Sequence, residues 1–231
     1  FDPATLGRWY SSHPALGPSL EWKLDDDGGL LVRGGAGFMG YYKDAHATDE
    51  AMQDGWFITG DAIRMQDDGE LVFLDRVKDL KKLASGHLFP PQFIETRLRF
   101  SPYIKDAMVL GDESKDAVAV FINIDGATVG QWAERKGIAY ASFPDLSQNP
   151  EVCDLVRQEV DRVNAVLEPQ SRVRYFVNLP KELDPDEAEL TRTRKLRRGL
   201  LEKRYASLIR AIYAGERTFE TQVPVKYRDG R

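Results

Sequence analysis

Residues 68–95 read DGELVFLDRVKDLKKLASGHLFPPQFIE. Up to Leu74 the pattern is β: AIRMQ (62–66) and ELVFL (70–74) flank the turn DDG (67–69), and Asp-Gly between apolar runs is a strong hairpin signal. After Leu74 the texture changes. DRVKD (75–79) holds four charges in five residues, and PPQFIETRLRF (90–100) reads as a helix with Pro near its first turn. Linkers are usually rich in Gly, Ser or Pro. A short charged segment leaving a strand end can instead serve as a pivot, because few backbone dihedrals need to change. On charge alone, a solvated strand end is the commoner reading.

On the N-terminal side the chain is β-rich. LEWKL (20–24) and LLVRG (30–34) flank the turn DDDGG (25–29). Gly28, Gly29, Gly34, Gly35, Gly37 and Gly40 crowd one stretch, which predicts tight bends or a barrel-like corner. DAHATDEAM (44–52) can form a short helix, and GWFITGD (55–61) is a strand-like run ending in an acid. On the C-terminal side, IKDAMVLG (104–111) and DAVAVFINI (116–124) read as strands separated by DESK (112–115). ATVGQWAERKG (127–137) and PEVCDLVRQEVDRVNAVL (150–167) are amphipathic helices, and RVRYFVNL (172–179) is a further strand. A final long helix over about 195–213 would carry Leu196, Leu200, Tyr205, Leu208, Ile209 and Ile212 at helical spacing. The tail FETQVPVKYRDGR (219–231) has no clear pattern.

The expected fold class is α+β. A β-rich, barrel-like end of a large N-terminal domain (1–75) precedes a hinge (76–79), which leads into a small α/β domain (80–231) with a mixed sheet flanked by helices.

The bulk numbers are those of an ordinary globular protein: 231 residues, 42% hydrophobic, 30% charged. A net charge of −5 gives no general pull toward nucleic acid or an anionic membrane. The one cysteine, Cys153, rules out an internal disulfide framework; within a helical pattern it reads as a structural thiol. No apolar run approaches the ~20 residues that span a bilayer, and no basic-then-apolar leader stands at the start. The chain begins at Phe1 without Met, which reads as a fragment cut from a longer protein or a cleavage product.

The order of the pieces makes a resemblance. DDGGLLVRGGAGFMGYY (26–42), GWFITGD (55–61), the stretch 68–95 and LTRTRKLRR (190–198) together resemble the C-terminal third of the adenylate-forming (AMP-binding) enzymes. These are the acyl-CoA synthetases, the adenylation domains of peptide synthetases and the luciferases. Each motif alone is weak; the ordered set is specific and spans most of the chain. KLASG (82–86) and ELTRTRKLRR (189–198) look like the long-chain fatty acyl-CoA synthetase branch. The resemblance implies a two-step reaction with ATP, a fatty acid and CoA as small-molecule substrates and Mg2+ as cofactor. A carboxylate attacks the α-phosphate of ATP, and the thiol of CoA then displaces AMP. The small domain swings about the hinge between the steps.

The same resemblance assigns roles. Asp61 would accept hydrogen bonds from both ribose hydroxyls, since a carboxylate has two acceptor oxygens. Arg76 would reach the ribose or phosphate region with a fixed donor fork. Lys78 matches the hinge position. Gly86 matches the loop that approaches the pantetheine arm, and glycine allows close backbone approach; His87 beside it is a candidate for touching that arm. Lys195 matches the catalytic lysine that offsets charge at the α-phosphate. The gap of fifteen positions between Asp61 and Arg76 is one hairpin, which predicts that the two side chains face one cleft.

Each residue also has a plain reading: a turn former for Asp61, a surface ion pair for Arg76, a helix stop for Gly86, a solvated basic face for Lys195. The chain departs from many family members in reading Asp75-Arg76 for Gly-Arg and Arg194 where glycine often stands. The family's phosphate-binding loop, metal-site glutamate and most of its acyl pocket lie upstream of such a segment. The Mg2+ ligands are therefore not expected here, and a missing N-terminal domain is an implied partner. His13, His46 and His87 lack metal-ligand spacing, so no metal site is expected. Two alternatives remain at this point. One is a fatty acyl-AMP ligase or related enzyme that delivers the acyl group to a carrier protein. The other is a nucleic-acid module on the basic segment 192–204, weighed down by the acidic DPDEAE (184–189) before it and by the lack of a recognition motif. The expected location is the cytoplasm, and the sequence shows no peripheral membrane contact while leaving one open.

Overall fold

The structure is a computed structural model that describes residues 20–34, 39–67, 69–193 and 195–216. Gly35, Gly37, Asp68, Arg194, His13 and the tail from 217, on which some expectations fall, lie outside the described residues.

The first part is a curled five-stranded antiparallel sheet. β1 (Leu20–Leu24) and β2 (Gly29–Gly34) form the expected hairpin, closed where the Gly28 N–H donates to the Asp25 carbonyl with Gly28 at φ +79°. A short helix, α1 (Ala45–Glu50), is capped by the Asp44 carboxylate and leads into β3 (Met52–Gln53). The ten-residue β4 (Trp56–Met65) is the spine of the sheet. It pairs with β2 on one side and with β3 and β5 (Leu71–Arg76) on the other. Register shifts interrupt both the β2–β4 and the β4–β5 ladders; such bulges bend a strand and raise its twist.

A single 3₁₀ turn, Val77–Asp79, follows β5 directly. Next come a two-stranded hairpin, β6 (Lys81–Lys82) and β7 (Leu88–Phe89), and helix α2 (Pro91–Leu98). The second main sheet has the order β10–β9–β8. β8 (Ile104–Leu110) runs antiparallel and β10 (Val173–Asn178) parallel to the central β9 (Val118–Ile124). The parallel pair needs a long crossover, which α3 (Gly126–Lys136), α4 (Phe143–Ser147) and α5 (Pro150–Asn164) supply.

All seven residues of β9 are buried, and strand alternation divides them between two cores. Val118, Val120, Ile122 and Ile124 pack with Ile94, Leu98, Val129, Val152, Val156 and Val160. Ala119 and Phe121 face Met108, Leu201, Tyr205, Leu208 and Ile212 on the other side. Val72 of β5 joins the first core, and Arg64 of β4 donates to the Val166 carbonyl at 3.3 Å.

The expected final helix is corrected in two ways. It begins at Arg198 and is split into α6 (Arg198–Arg204) and α7 (Ala206–Tyr213) at Tyr205, whose φ −103°, ψ 22° leaves helical geometry. The buried stripe is Leu201, Tyr205, Leu208 and Ile212, whereas Leu200 is exposed. The physical reason is Tyr205: its ring packs edge-on to Phe121 with centroids 5.6 Å apart, and the local backbone follows that contact. No helix among the described residues is long and apolar enough to cross a membrane.

Candidate active site

Thr59, Gly60 and Asp61 stand in the middle of β4, where the β2–β4 ladder shifts register. Thr59 donates its hydroxyl to the Leu30 carbonyl at 2.9 Å and accepts the Asp61 N–H at 3.1 Å, bridging the bulge. Gly60 sits at φ +72°, where an L side chain is strained. Asp61 is thereby held opposite Arg76 in the ladder. Arg76 Nη1 lies 2.9 Å from Asp61 Oδ1 and donates to the Thr59 carbonyl at 3.1 Å. The pair is half exposed, with side-chain accessibilities of 54% and 30%. Pairs of that kind are worth only ~0–1 kcal/mol to the fold, so they orient more than they stabilise.

Asp75, one residue earlier, points the other way and is buried. Its carboxylate accepts the N–H groups of Arg76 at 2.8 Å and of Gln92 at 3.0 Å, satisfying a free donor at the start of α2. Burial pushes its pKa above the ordinary value against the pull of those donors. Asp75 thus ties the strand before the 3₁₀ turn to the helix after it. Lys78, within that turn, is exposed. With Gly60, Arg76, Val77 and Asp79 it lines an open hollow of about 650 Å3.

Gly86 is at the tip of the β6–β7 hairpin, not at a helix end. Its N–H donates to the Leu83 carbonyl, the Leu83 N–H returns to His87, and φ is +85°. Apart from Gly86 and its chain neighbours, no atom of the described residues lies within 4 Å of where a Cβ would stand, so the hairpin tip is open. His87 is committed elsewhere: its Nε2 lies 2.7 Å from the Oγ of the buried Ser171.

Lys195 sits in a tight loop ahead of α6 rather than at the start of the expected final helix. The Leu190–Leu196 bridge closes it. Thr191 accepts the Lys195 N–H through Oγ1 at 3.0 Å and donates its own N–H to the Lys195 carbonyl at 2.8 Å. Below the loop lies a charge cluster. Glu189 is fully buried; it holds Lys181 at 3.0 Å and Arg204 at 2.5 Å and accepts the Asp184 N–H at 3.1 Å. Glu187 meets the same two cations at 2.5 and 2.7 Å. The acids read as a screen in front of the basic run are structural, and Arg198 and Arg204 of that run are already in ion pairs.

Asp61, Arg76 and Lys78 are therefore brought to one end of the first sheet. Lys195 lines a different hollow, of about 770 Å3, with Glu95, Arg99, Lys105 and Arg198, and Gly86 lines neither of the two. Asp61 and Arg76 together offer acceptor and donor groups suited to a ribose and a phosphate, and Lys195 offers an exposed cation. Among the described residues no group of three or more His, Cys, Asp or Glu side chains could hold a metal ion.

Known proteins resemble the chain in sequence and in fold. The long-chain-fatty-acid–CoA ligase FadD15 of Mycobacterium tuberculosis is 37% identical over 204 residues, covering 88% of this chain and 34% of the relative. Human long-chain-fatty-acid–CoA ligase 1 is 30% identical over 193 residues, covering 82% of the chain and 28% of the relative. The chain thus spans about a third of the length of these relatives. The crystal structure of the adenylation domain of a carboxylate reductase from Mycobacterium chelonae matches the fold with a TM-score of 0.55 at 23% identity, covering 85% of this chain and 31% of that one. Residues 78–217, more than half of the chain, match the family described as AMP-binding enzyme C-terminal domain. By that match the chain belongs to the AMP-binding enzymes, and residues 78–217 are the family's C-terminal domain.

Proposed function

We propose that this chain is the C-terminal part of an ATP-dependent long-chain fatty acid–CoA ligase. In the first step a carboxylate oxygen of the fatty acid bonds to the α-phosphorus of ATP, pyrophosphate leaves, and acyl-AMP remains. In the second, the sulfur of CoA bonds to the acyl carbon, the thiol proton is lost to solvent, and AMP leaves. Asp61 binds the ribose hydroxyls, Arg76 binds the ribose or phosphate region while holding Asp61 in place, and Lys195 offsets charge on the reacting phosphorus. Residues 1–75 end the large domain, 76–79 are the pivot around Lys78, and 80–231 are the mobile domain. Rotation carries Lys195 to the nucleotide for the first step and the Gly86 hairpin to the pantetheine arm for the second. Mg2+ would neutralise the polyphosphate from ligands outside this chain, and the protein would work in the cytoplasm or at a membrane surface.

The observation that carries the reading is the Asp61–Arg76 pair, fixed at a sheet end one residue before a single-turn pivot. The names of the relatives support the substrate class. The first step is tested by fatty-acid-dependent exchange between ATP and labelled pyrophosphate in the full-length protein. Lys195→Ala should slow it by about 10²–10³; an unchanged rate would remove Lys195 from the mechanism.

A further inference from the structure

We propose that Glu95 is a positioning residue for Lys195, acting through Arg198; the proposal rests on the adenylation role given to Lys195 above. Glu95 lies on α2, far from the lysine in sequence, and is buried. Its Oε1 accepts the Val109 N–H at 2.7 Å, joining α2 to β8. A glutamine would serve that bond equally well, and burying a carboxylate is costly unless the charge is paired. The second oxygen, Oε2, is what calls for a charge: it accepts Nη2 of Arg198.

Arg198 is the first residue of α6, three positions after Lys195. Its Nη1 is buried without a hydrogen-bond partner among the described residues, so Glu95 is the anchor of the guanidinium. The adjoining Arg197 N–H donates to the Glu189 carbonyl at 2.9 Å, and on the other side Thr191 clamps both backbone groups of Lys195. Lys195 is therefore held between two fixed points, one of which is the Glu95–Arg198 pair. Glu95, Arg198 and Lys195 all line the same hollow. A cation that must meet a phosphorus gains from such fixing, because a misplacement of about 1 Å can cost about 10²-fold in rate.

The test uses Glu95→Gln in the full-length protein, which keeps the acceptor for Val109 and breaks only the ion pair. Three activity results are expected. Fatty-acid-dependent ATP–pyrophosphate exchange falls on the order of 10- to 100-fold, while conversion of supplied acyl-AMP and CoA to thioester keeps its rate. Glu95→Gln combined with Lys195→Ala is no slower than Lys195→Ala alone. Arg198→Lys recovers part of what Arg198→Ala loses. Equal losses in both half-reactions, or additive losses with Lys195→Ala, would overturn the proposal. Amide hydrogen exchange supplies a readout independent of activity: residues 191–197 should exchange faster in Glu95→Gln while β8 and β9 keep their protection. Unchanged exchange in that loop sinks the tether whatever the kinetics show. If the wild-type protein lacks fatty-acid-dependent exchange, the functional reading fails by itself, and the amide measurement still decides whether Glu95 holds the loop.

Discussion

Asp61 owes its position to two neighbours with different tasks: Thr59 bridges the bulge through its hydroxyl and Gly60 supplies the positive φ. Because its ion pair with Arg76 is half exposed, removing it should scarcely touch stability. Its loss should be felt in nucleotide binding, where a hydrogen bond to a charged group is worth ~1.5–3 kcal/mol. Asp61→Ala in the full-length protein is thus expected to weaken AMP binding by about 10- to 100-fold by calorimetry, with an unchanged urea midpoint. A large fall in stability with intact binding would assign Asp61 to the fold instead. Cys153 shows the opposite kind of residue. Burial pushes its thiol up from the ordinary value, and weak contacts to Asn178 and the Ser147 carbonyl surround it. The thiolate is the reactive form, so alkylation by iodoacetamide at pH 8 should be at least about tenfold slower in the folded protein than in urea, and equal rates would rule out a sheltered thiol.

At the scale of elements, the 189–197 loop and the charges beneath it matter most. Burial alone would raise the pKa of Glu187, but bonds from Lys181 and Arg204 outweigh it and hold the carboxyl below its ordinary value. A depressed carboxylate adds stability above its unfolded pKa, about 4.3, and that stability is lost as pH falls through the folded value. Urea unfolding between pH 7 and pH 3 should therefore show a loss of stability that Glu187→Gln reduces; parallel curves would contradict the pairing. Glu189, fully buried against the same cations, is the costlier residue to remove: Glu189→Ala should destabilise by ~1–3 kcal/mol, because Lys181 and Arg204 then share the single carboxylate of Glu187. This cluster was not legible in sequence, since DPDEAE looks like a solvated acidic run and its partners Lys181 and Arg204 stand on separate elements. The β6–β7 hairpin was hidden for a similar reason. Its strands are two residues each, too short for alternation to show. The hairpins around DDDGG and DDG and the helices from 126 and 150 were legible, because turn chemistry and apolar period are local signals. The break at Tyr205 answers to Phe121, a partner that helical spacing does not name.

For the whole molecule, the sheet that holds Asp61 and the domain that holds Lys195 meet through few residues. Asp75 accepts the Gln92 N–H of α2 across the 3₁₀ turn, Val72 reaches into the first core, and Arg64 contacts the end of the α5 region. The fold class was legible from the order of strands and helices, whereas the separation of Arg76 and Lys195 into different hollows depends on how distant elements are placed, which no local pattern encodes. On the proposed function, rotation about the single 3₁₀ turn Val77–Asp79 would bring Lys195 to Asp61 and Arg76 for adenylation and the Gly86 hairpin there for thioester formation. By the same proposal, the full-length protein joins a long-chain fatty acid to CoA at the expense of ATP. The most direct test supplies ATP, Mg2+, a long-chain fatty acid and CoA to the purified full-length protein and follows the products by mass spectrometry. Acyl-CoA, AMP and pyrophosphate are expected in equal amounts, with Lys195→Ala blocking acyl-AMP formation and a bulky substitution at Gly86 letting acyl-AMP form but not the thioester. Acyl-AMP that passes only to a pantetheine-bearing carrier protein, or no fatty-acid-dependent AMP at all, would contradict the proposed function.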